Sequence, residues 1–219
     1  MSVIDVWLVP VEVGAAGDAA KVAMLGTEER SRIASLGFAA DRDRAVTARV
    51  AARHAVGRRL GLTPDRVPLT GGGIPAVQGV TINVSWSHSG AWVALAISDE
   101  RPVGIDIEEV PALLPTRALA GIGVASLEEF VALEAASKAT ACRYGGRWPP
   151  GVHARRLCAP TGYLAAVAAA GDDWTAELHM KPPVASEPGR TSLDSAHSRR
   201  TTSGAQALGS QPMALPEER

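Results

Sequence analysis

Aromatic side chains make up only 4% of this 219-residue sequence, there are two cysteines, and neither sign of charge prevails. Each shortage excludes something. Cys142 and Cys158 have no metal-ligand spacing between them, which fits a reducing compartment, where thiols rarely pair. Lys plus Arg total 22 against 23 for Asp plus Glu, a formal net charge of -1. Bulk charge therefore argues against a nucleic-acid or membrane-surface role, and any anionic partner must be met by a local cluster. The longest apolar stretch, near residues 163–170, falls far short of the roughly 20 residues that span a bilayer. No basic segment followed by an apolar stretch opens the chain. The expectation is a soluble cytoplasmic protein.

What is present is a large apolar fraction, 46%, much of it Ala and Val, so a core can be buried. Residues 3–13 are apolar and β-branched and read as an opening strand. Thr27 can cap a helix beginning Glu28-Glu29-Arg30, with its acids where the helix dipole favours them, and that helix ends near Gly37. Residues 41–60 read as a longer helix with Gly61 just past its end. Arg42, Arg49 and Arg53 recur along it at helical spacing. A Gly-rich turn follows at 70–75, then strands at 80–86, 92–98 and 103–107. Ser126 caps a helix to about residue 141, with Glu129 at the capping-box position. Residues 162–170 and 174–180 read as two closing strands, which a hairpin across Gly171-Asp172-Asp173 could join. Residues 182–219, rich in Ser, Thr, Pro, Gly and Arg, bury too little to offset their ordering entropy and read as a disordered tail.

Two runs echo each other, Gly90-Ala91-Trp92-Val93-Ala94-Leu95-Ala96 and Gly162-Tyr163-Leu164-Ala165-Ala166-Val167-Ala168. Each is a Gly turn feeding a small-residue strand. A duplicated α+β unit would explain them, and so would the general likeness of Ala/Val-rich strands.

In Gly104-Ile105-Asp106-Ile107-Glu108, strand alternation puts Ile105 and Ile107 on one side and Asp106 and Glu108 on the other. Two adjacent carboxylates on one face repel, and a hard divalent cation relieves that repulsion. A half-buried strand with its polar face in water would give the same pattern. Upstream stands Ser87-His88-Ser89, which alone reads as a turn. Downstream, Glu134 and Lys138 share a helix face, which alone reads as a surface ion pair.

Taken in order, Ser87-His88-Ser89-Gly90-Ala91-Trp92-Val93, then Gly104-Ile105-Asp106-Ile107-Glu108, then Glu134 and Lys138, the chain resembles the 4′-phosphopantetheinyl transferases of the surfactin-synthetase-activating type. The first two blocks match closely and at the family's usual separation. The third is a partial match. Asp41-Arg42-Asp43-Arg44 with Arg49 and Arg53 looks like the family's first long helix.

The resemblance implies an α+β fold, a pseudo-dimer of two similar halves with the active site in the cleft between them: residues 1–102, residues 103–181, and the tail at 182–219. It implies magnesium-dependent transfer of the phosphopantetheine arm of coenzyme A to a serine of an acyl or peptidyl carrier protein. Asp106, Glu108 and Glu134 would ligate the magnesium. Glu134 would also be the base for the serine, and Lys138 would neutralise the diphosphate and assist the leaving group. Ser87 and His88 would contact the nucleotide end of coenzyme A, with Arg49 and Arg53, and less directly Arg32, as further phosphate contacts. His88 is carried as a catalytic candidate as well. An internal pseudo-dimer is compatible with a monomer.

The sequence departs from the family in places. Gly73-Ile74-Pro75 stands where the family has Gly-Lys-Pro. Phe130 replaces a Trp and Leu133 a Lys in the pattern Trp-x-x-Lys-Glu-Ala-x-x-Lys. The connection from Glu108 to Glu134 is short, and residues 143–160 match nothing in the family. These departures leave a second reading, a degenerate member that binds coenzyme A or a carrier protein without transfer. A Ser-His hydrolase is disfavoured by the lack of a Gly-x-Ser-x-Gly elbow. A dinucleotide fold on Gly71-Gly72-Gly73 is disfavoured by Pro75 and by the absence of a long helix after it.

Overall fold

The computed structural model describes residues 1–70, 76–77, 79, 81–113, 116–140 and 147–179. The tail at 182–219, the Gly73-Ile74-Pro75 turn and Cys142 lie outside the described residues. Nine strands are described: β1 Ser2–Pro10, β2 Leu69–Thr70, β3 Ala76–Val77, β4 Asn83–Ser89, β5 Trp92–Ser98, β6 Val103–Glu109, β7 Val152–Leu157, β8 Tyr163–Ala170 and β9 Trp174–His179. Five α-helices accompany them: α1 Ala19–Ala23, α2 Thr27–Ala34, α3 Ala39–Leu60, α4 Thr116–Gly121 and α5 Leu127–Ala139. The fold is α+β. None of the described helices is long and apolar enough to cross a membrane.

The strands form a six-stranded sheet in the order β2-β3-β4-β5-β1-β9 and a three-stranded sheet in the order β6-β8-β7. Period-2 alternation sorts their side chains into layers. Trp7, Val9, Val93, Leu95 and Ile97 of the large sheet pack against Ala48, Ala52 and Val56 of α3. On the sheet's other face, Ile4, Val6, Leu8, Ala94 and Ala96 meet Val103, Ile105, Ile107, Ala165 and Val167 of the small sheet. Beyond that, Ala166 and Ala168 pack against Val131, Ala132, Ala135 and Ala136 of α5. The order of layers is helix, sheet, sheet, helix. Of the alanines in the two echoing runs, Ala94 and Ala96 of β5 lie on the face toward the small sheet, while β8 carries them on both faces, Ala165 toward the large sheet and Ala166 and Ala168 toward α5.

Two expectations need correction. The closing strands do not form a hairpin: β8 pairs with β6 and β7, whereas β9 crosses to the large sheet and pairs parallel with β1, from Ser2 opposite Trp174 to Trp7 opposite His179. Fully buried Trp174, in the core between the sheets, anchors that crossing. Gly171 (φ 74) turns the chain there, and the Trp174 indole donates to its carbonyl at 2.8 Å. The sheets therefore do not divide at residue 102, since the last strand of the second half completes the first sheet. Second, β4 runs to Ser89 rather than ending near Trp86, so Ser87-His88-Ser89 lies on a strand and not in a turn.

Thr27 is not a cap but the first residue of α2: Gly26 is the N-cap, and the Glu29 carboxylate accepts from its amide at 2.9 Å, doing the work expected of the threonine hydroxyl. Ser126 caps α5, its hydroxyl accepting from the Glu129 amide at 3.1 Å. Strand β7 and helix α4 had no legible signal, because the Arg155-Arg156 pair interrupts the apolar alternation of the one and the other is a single short turn.

Candidate active site

Strand β6 is the outer strand of the small sheet, and its polar face turns toward α5. Gly104 makes the approach possible. A Cβ there would stand 1.9 Å from the Ala135 carbonyl oxygen and 2.5 Å from the Ala139 amide nitrogen. Only glycine lets the helix lie this close to the strand. The consequence is local: Lys138 reaches across and donates to Asp106 Oδ1 at 2.6 Å and to the Ile105 carbonyl at 3.2 Å.

Asp106 is buried, 2% exposed. Its Oδ1 also accepts from the Ser87 hydroxyl at 2.7 Å. Its Oδ2 is buried and has no hydrogen-bond partner among the described residues. Two positions on, Glu108 accepts from the Ser89 hydroxyl through Oε2 at 2.8 Å. Burial raises the Glu108 carboxyl above its ordinary pKa, and the Asp106 and Glu134 charges add to the rise, while the Ser89 hydrogen bond and Lys138 oppose it. Glu134, half-buried one turn before Lys138, is also raised, first by burial and then by Asp106, with Lys138 opposing.

Asp106, Glu108, Glu134 and Lys138 thus share one electrostatic neighbourhood. The three acids are not drawn together to ligand spacing, however. Among the described residues, the group of three potential ligands whose donor atoms all lie within 4.8 Å of one another is Asp5, Glu177 and His179, on β1 and β9. Asp5 is already committed there, to His179 Nε2 at 2.7 Å and to Arg59. Burial pushes its carboxyl up, but the His179 hydrogen bond and the Arg59 charge outweigh this and hold it below its ordinary value.

Strand alternation splits the Ser-His-Ser run. Ser87 and Ser89 face β6, while His88 is exposed beside the N-terminal part of α3. Partial desolvation lowers the His88 pKa, and the Arg44 charge lowers it further. Arg44 Nε donates to the Gly90 carbonyl at 2.7 Å, which ties α3 to the β4–β5 turn. From the other side, the Tyr163 hydroxyl accepts from the Ala91 amide at 2.9 Å.

Two of the helix arginines converge on one carboxylate. Arg53, 3% exposed, grips Glu29 of α2 with both terminal nitrogens, at 3.2 and 2.6 Å. Arg49 Nε lies 3.5 Å from the same Glu29 carboxylate, and its guanidinium stands 5.6 Å from the centroid of the Trp86 ring. Both are engaged within the protein, on the face of β4 opposite Ser87. Burial lowers the Arg49 pKa, with Glu29 opposing.

The chain is similar to a phosphopantetheinyl transferase. That protein, from Thraustochytrium sp., is 34% identical to this chain over 137 residues, which cover 58% of this chain and 44% of the relative. The chain therefore matches less than half the length of this curated relative. No protein-family model matches the chain.

Sequence reasoning overlooked Gly104, Ser89, Arg44 and Tyr163 as parts of this region. A period-2 signal was available for Ser89, since Ser85, Ser87 and Ser89 alternate along β4. No local signal marks Tyr163 or the steric role of Gly104, because both act on residues distant in sequence.

Proposed function

We propose that the chain transfers 4′-phosphopantetheine from coenzyme A to a serine of an acyl or peptidyl carrier protein. The observation that carries this reading is the meeting of Asp106 and Glu108 on β6 with Glu134 and Lys138 on α5, over the gap left by Gly104. The similarity to a phosphopantetheinyl transferase adds to it. The further reading of the fold as a pseudo-dimer of two related halves belongs to the same proposal.

The residues suit a magnesium ion. Asp106 Oδ2 is a buried carboxylate oxygen without a partner among the described residues, and an unpaired buried acceptor is costly unless a cation or donor meets it. The chemistry is hard-oxygen chemistry, from Asp106 and Glu108; Glu134 would join as third acid only on closing the spacing that now separates the three. When bound, magnesium would neutralise the diphosphate of coenzyme A and polarise it for attack.

The chain's own residues then divide the work. Glu134, its carboxyl raised above its ordinary pKa by burial, accepts the proton of the carrier serine, directly or through one water. The serine oxygen forms a bond to the phosphorus on the pantetheine side. The bond from that phosphorus to the bridging oxygen breaks, and the electron pair leaves on adenosine 3′,5′-bisphosphate. Lys138 meets the charge on that leaving phosphate. To do so it must turn its ammonium from Asp106 Oδ1 to the substrate. Exposed His88, beside Arg44, is on the side of β4 suited to the nucleotide end of coenzyme A.

A second reading is favoured by one observation. Leu133, at the position where the family carries a lysine, is a core residue, 4% exposed and packed with Leu119 and Val124. A binding-only protein with a remodelled helix is consistent with that. Intact-mass measurement of an apo carrier protein after incubation with coenzyme A and magnesium separates the two. A phosphopantetheine mass gain that disappears in Asp106→Ala supports transfer. No gain on fatty-acid, polyketide and non-ribosomal carriers, with coenzyme A binding retained, refutes it.

A further inference from the structure

Strands β1 and β9 bring a second group of donors together. Their parallel register sets Asp5 opposite Glu177 and Trp7 opposite His179, so these four side chains lie on one face of the large sheet. Trp7 packs toward α3, whereas Ile4, Val6 and Leu8 of the same strand meet the small sheet. The group is therefore on the far side of the large sheet from Asp106.

Like charges directly opposite one another on neighbouring strands are destabilising, and Asp5 and Glu177 are such a pair. Arg59 of α3 bridges Asp5 Oδ2 and Asp99. Asp5, Glu177 and Asp99 thus carry three negative charges against the one positive charge of Arg59, an excess of two when the imidazole is neutral. A divalent cation would cancel that excess.

The imidazole sets the group apart from a patch of surface acids. The His179 ring stacks on Trp7, with centroids 4.9 Å apart and planes at 25°, and its Nε2 lies 2.7 Å from Asp5 Oδ1. Stacking fixes the plane of the ring. Arg59 fixes the carboxylate through its other oxygen, as the outer partners of metal ligands do. One nitrogen and two carboxylate oxygens, one atom from each residue, all lie within 4.8 Å of one another. Zinc–ligand bonds of about 2.0–2.2 Å put the ligand atoms of a tetrahedron about 3.3–3.6 Å apart. Exposed Glu177 can swing to make up the difference.

We propose that Asp5, Glu177 and His179 form a site for a borderline divalent transition metal, zinc above all, that staples β9 to β1. The imidazole disfavours magnesium and calcium, which take oxygen ligands. As the metal binds, the proton between Nε2 and Oδ1 passes to Nδ1 or to solvent, and water completes the coordination. Strand β9 is an edge strand with a partner on one side only, so a metal bridge reinforces the one ladder that holds it. The site is separate from the carboxylates of β6 and stands whether or not the chain transfers phosphopantetheine.

The test is calorimetric titration of the full chain with zinc in excess magnesium, which fills oxygen-only sites and competes weakly for an imidazole. The expected result is zinc binding that weakens by about 10-fold or more in His179→Gln and in Glu177→Gln, at least what loss of a ligand's own hydrogen-bond partner costs. Zinc affinity in Asp106→Ala should equal that of the parent. Zinc at about 100 times its Kd should raise the parent's Tm by about 5–10 °C, and the shift should vanish in both ligand variants. A parent that binds no zinc overturns the proposal, as does equal zinc affinity in the parent and His179→Gln, or loss of zinc binding in Asp106→Ala alone. Should His179→Gln fail to fold for want of its contacts with Trp7 and Asp5, Glu177→Gln decides, since that side chain is exposed. Parent-like zinc affinity in Glu177→Gln overturns the three-residue site.

Discussion

Replacing Gly104 by alanine adds one methyl group at the point where strand and helix backbones nearly touch. The glycine is not in the left-handed region, so alanine can adopt its conformation, and elsewhere such a change stabilises by about 0.4–1 kcal/mol through the unfolded state. Here the space decides the sign. The new Cβ would lie 1.9 Å from the Ala135 oxygen and 2.5 Å from the Ala139 nitrogen, both backbone atoms that no rotamer change can move. Reaching ordinary contact requires α5 to retreat by about 1.5 Å, an overpacking strain that typically costs about 1–3 kcal/mol. The same retreat would carry Lys138 Nζ, now 2.6 Å from Asp106, beyond hydrogen-bond range. The expected outcome is a lowered unfolding midpoint, about 2–4 °C per kcal/mol for a chain of this size, together with altered cation affinity. Gly121→Ala is the control, since a Cβ there meets nothing within 4 Å. If Gly104→Ala is as stable as the parent and titrates with magnesium identically, the argument that Gly104 sets the strand–helix spacing fails.

Two further predictions concern charge. Arg53→Ala leaves Glu29 buried without its bidentate partner and should destabilise the chain by about 3–5 kcal/mol. Urea unfolding checks this, and parent-like stability would show the pair to be expendable and Arg53 free for a ligand. Glu108 and Glu134 both have carboxyls raised in the folded state. Their contribution to stability is therefore fully present below the unfolded-state carboxylate pKa and is lost as pH rises through the folded values. Magnesium should offset that loss at neutral pH, so the ion's stabilising effect should grow with pH across this window. Asp5, held low, works in the opposite sense, and its contribution is lost only as pH falls through its folded value. Thermal melts of the parent and Glu108→Gln, with and without magnesium, separate these effects. A pH profile indifferent to both the substitution and the ion would contradict the assignment.

Much of the architecture was legible because local rules sufficed. The capping serine at 126, the glycine after Leu60 and the alternation of Ile105 and Ile107 against Asp106 and Glu108 depend on near neighbours, and the structure follows them. The strand ending at Ser89 was misread because Ser-His-Ser has turn-like composition. Its serines are polar because they cover the edge of another strand, not because they face water. The crossing of β9 to β1 was hidden for a similar reason, since Gly171-Asp172-Asp173 carries the chemistry of a hairpin turn. What redirects the chain is the burial of Trp174 between sheets.

By itself, then, the sequence determined which side chains share a face: Asp106 with Glu108, and Glu134 with Lys138. Periodicity is a property of consecutive residues. Tertiary structure alone decided that these two faces meet, that Lys138 and Ser87 converge on one oxygen of Asp106, and that Arg53 is committed to Glu29. Those outcomes depend on the distance between layers, set by glycine and alanine at positions whose contacts lie far along the chain.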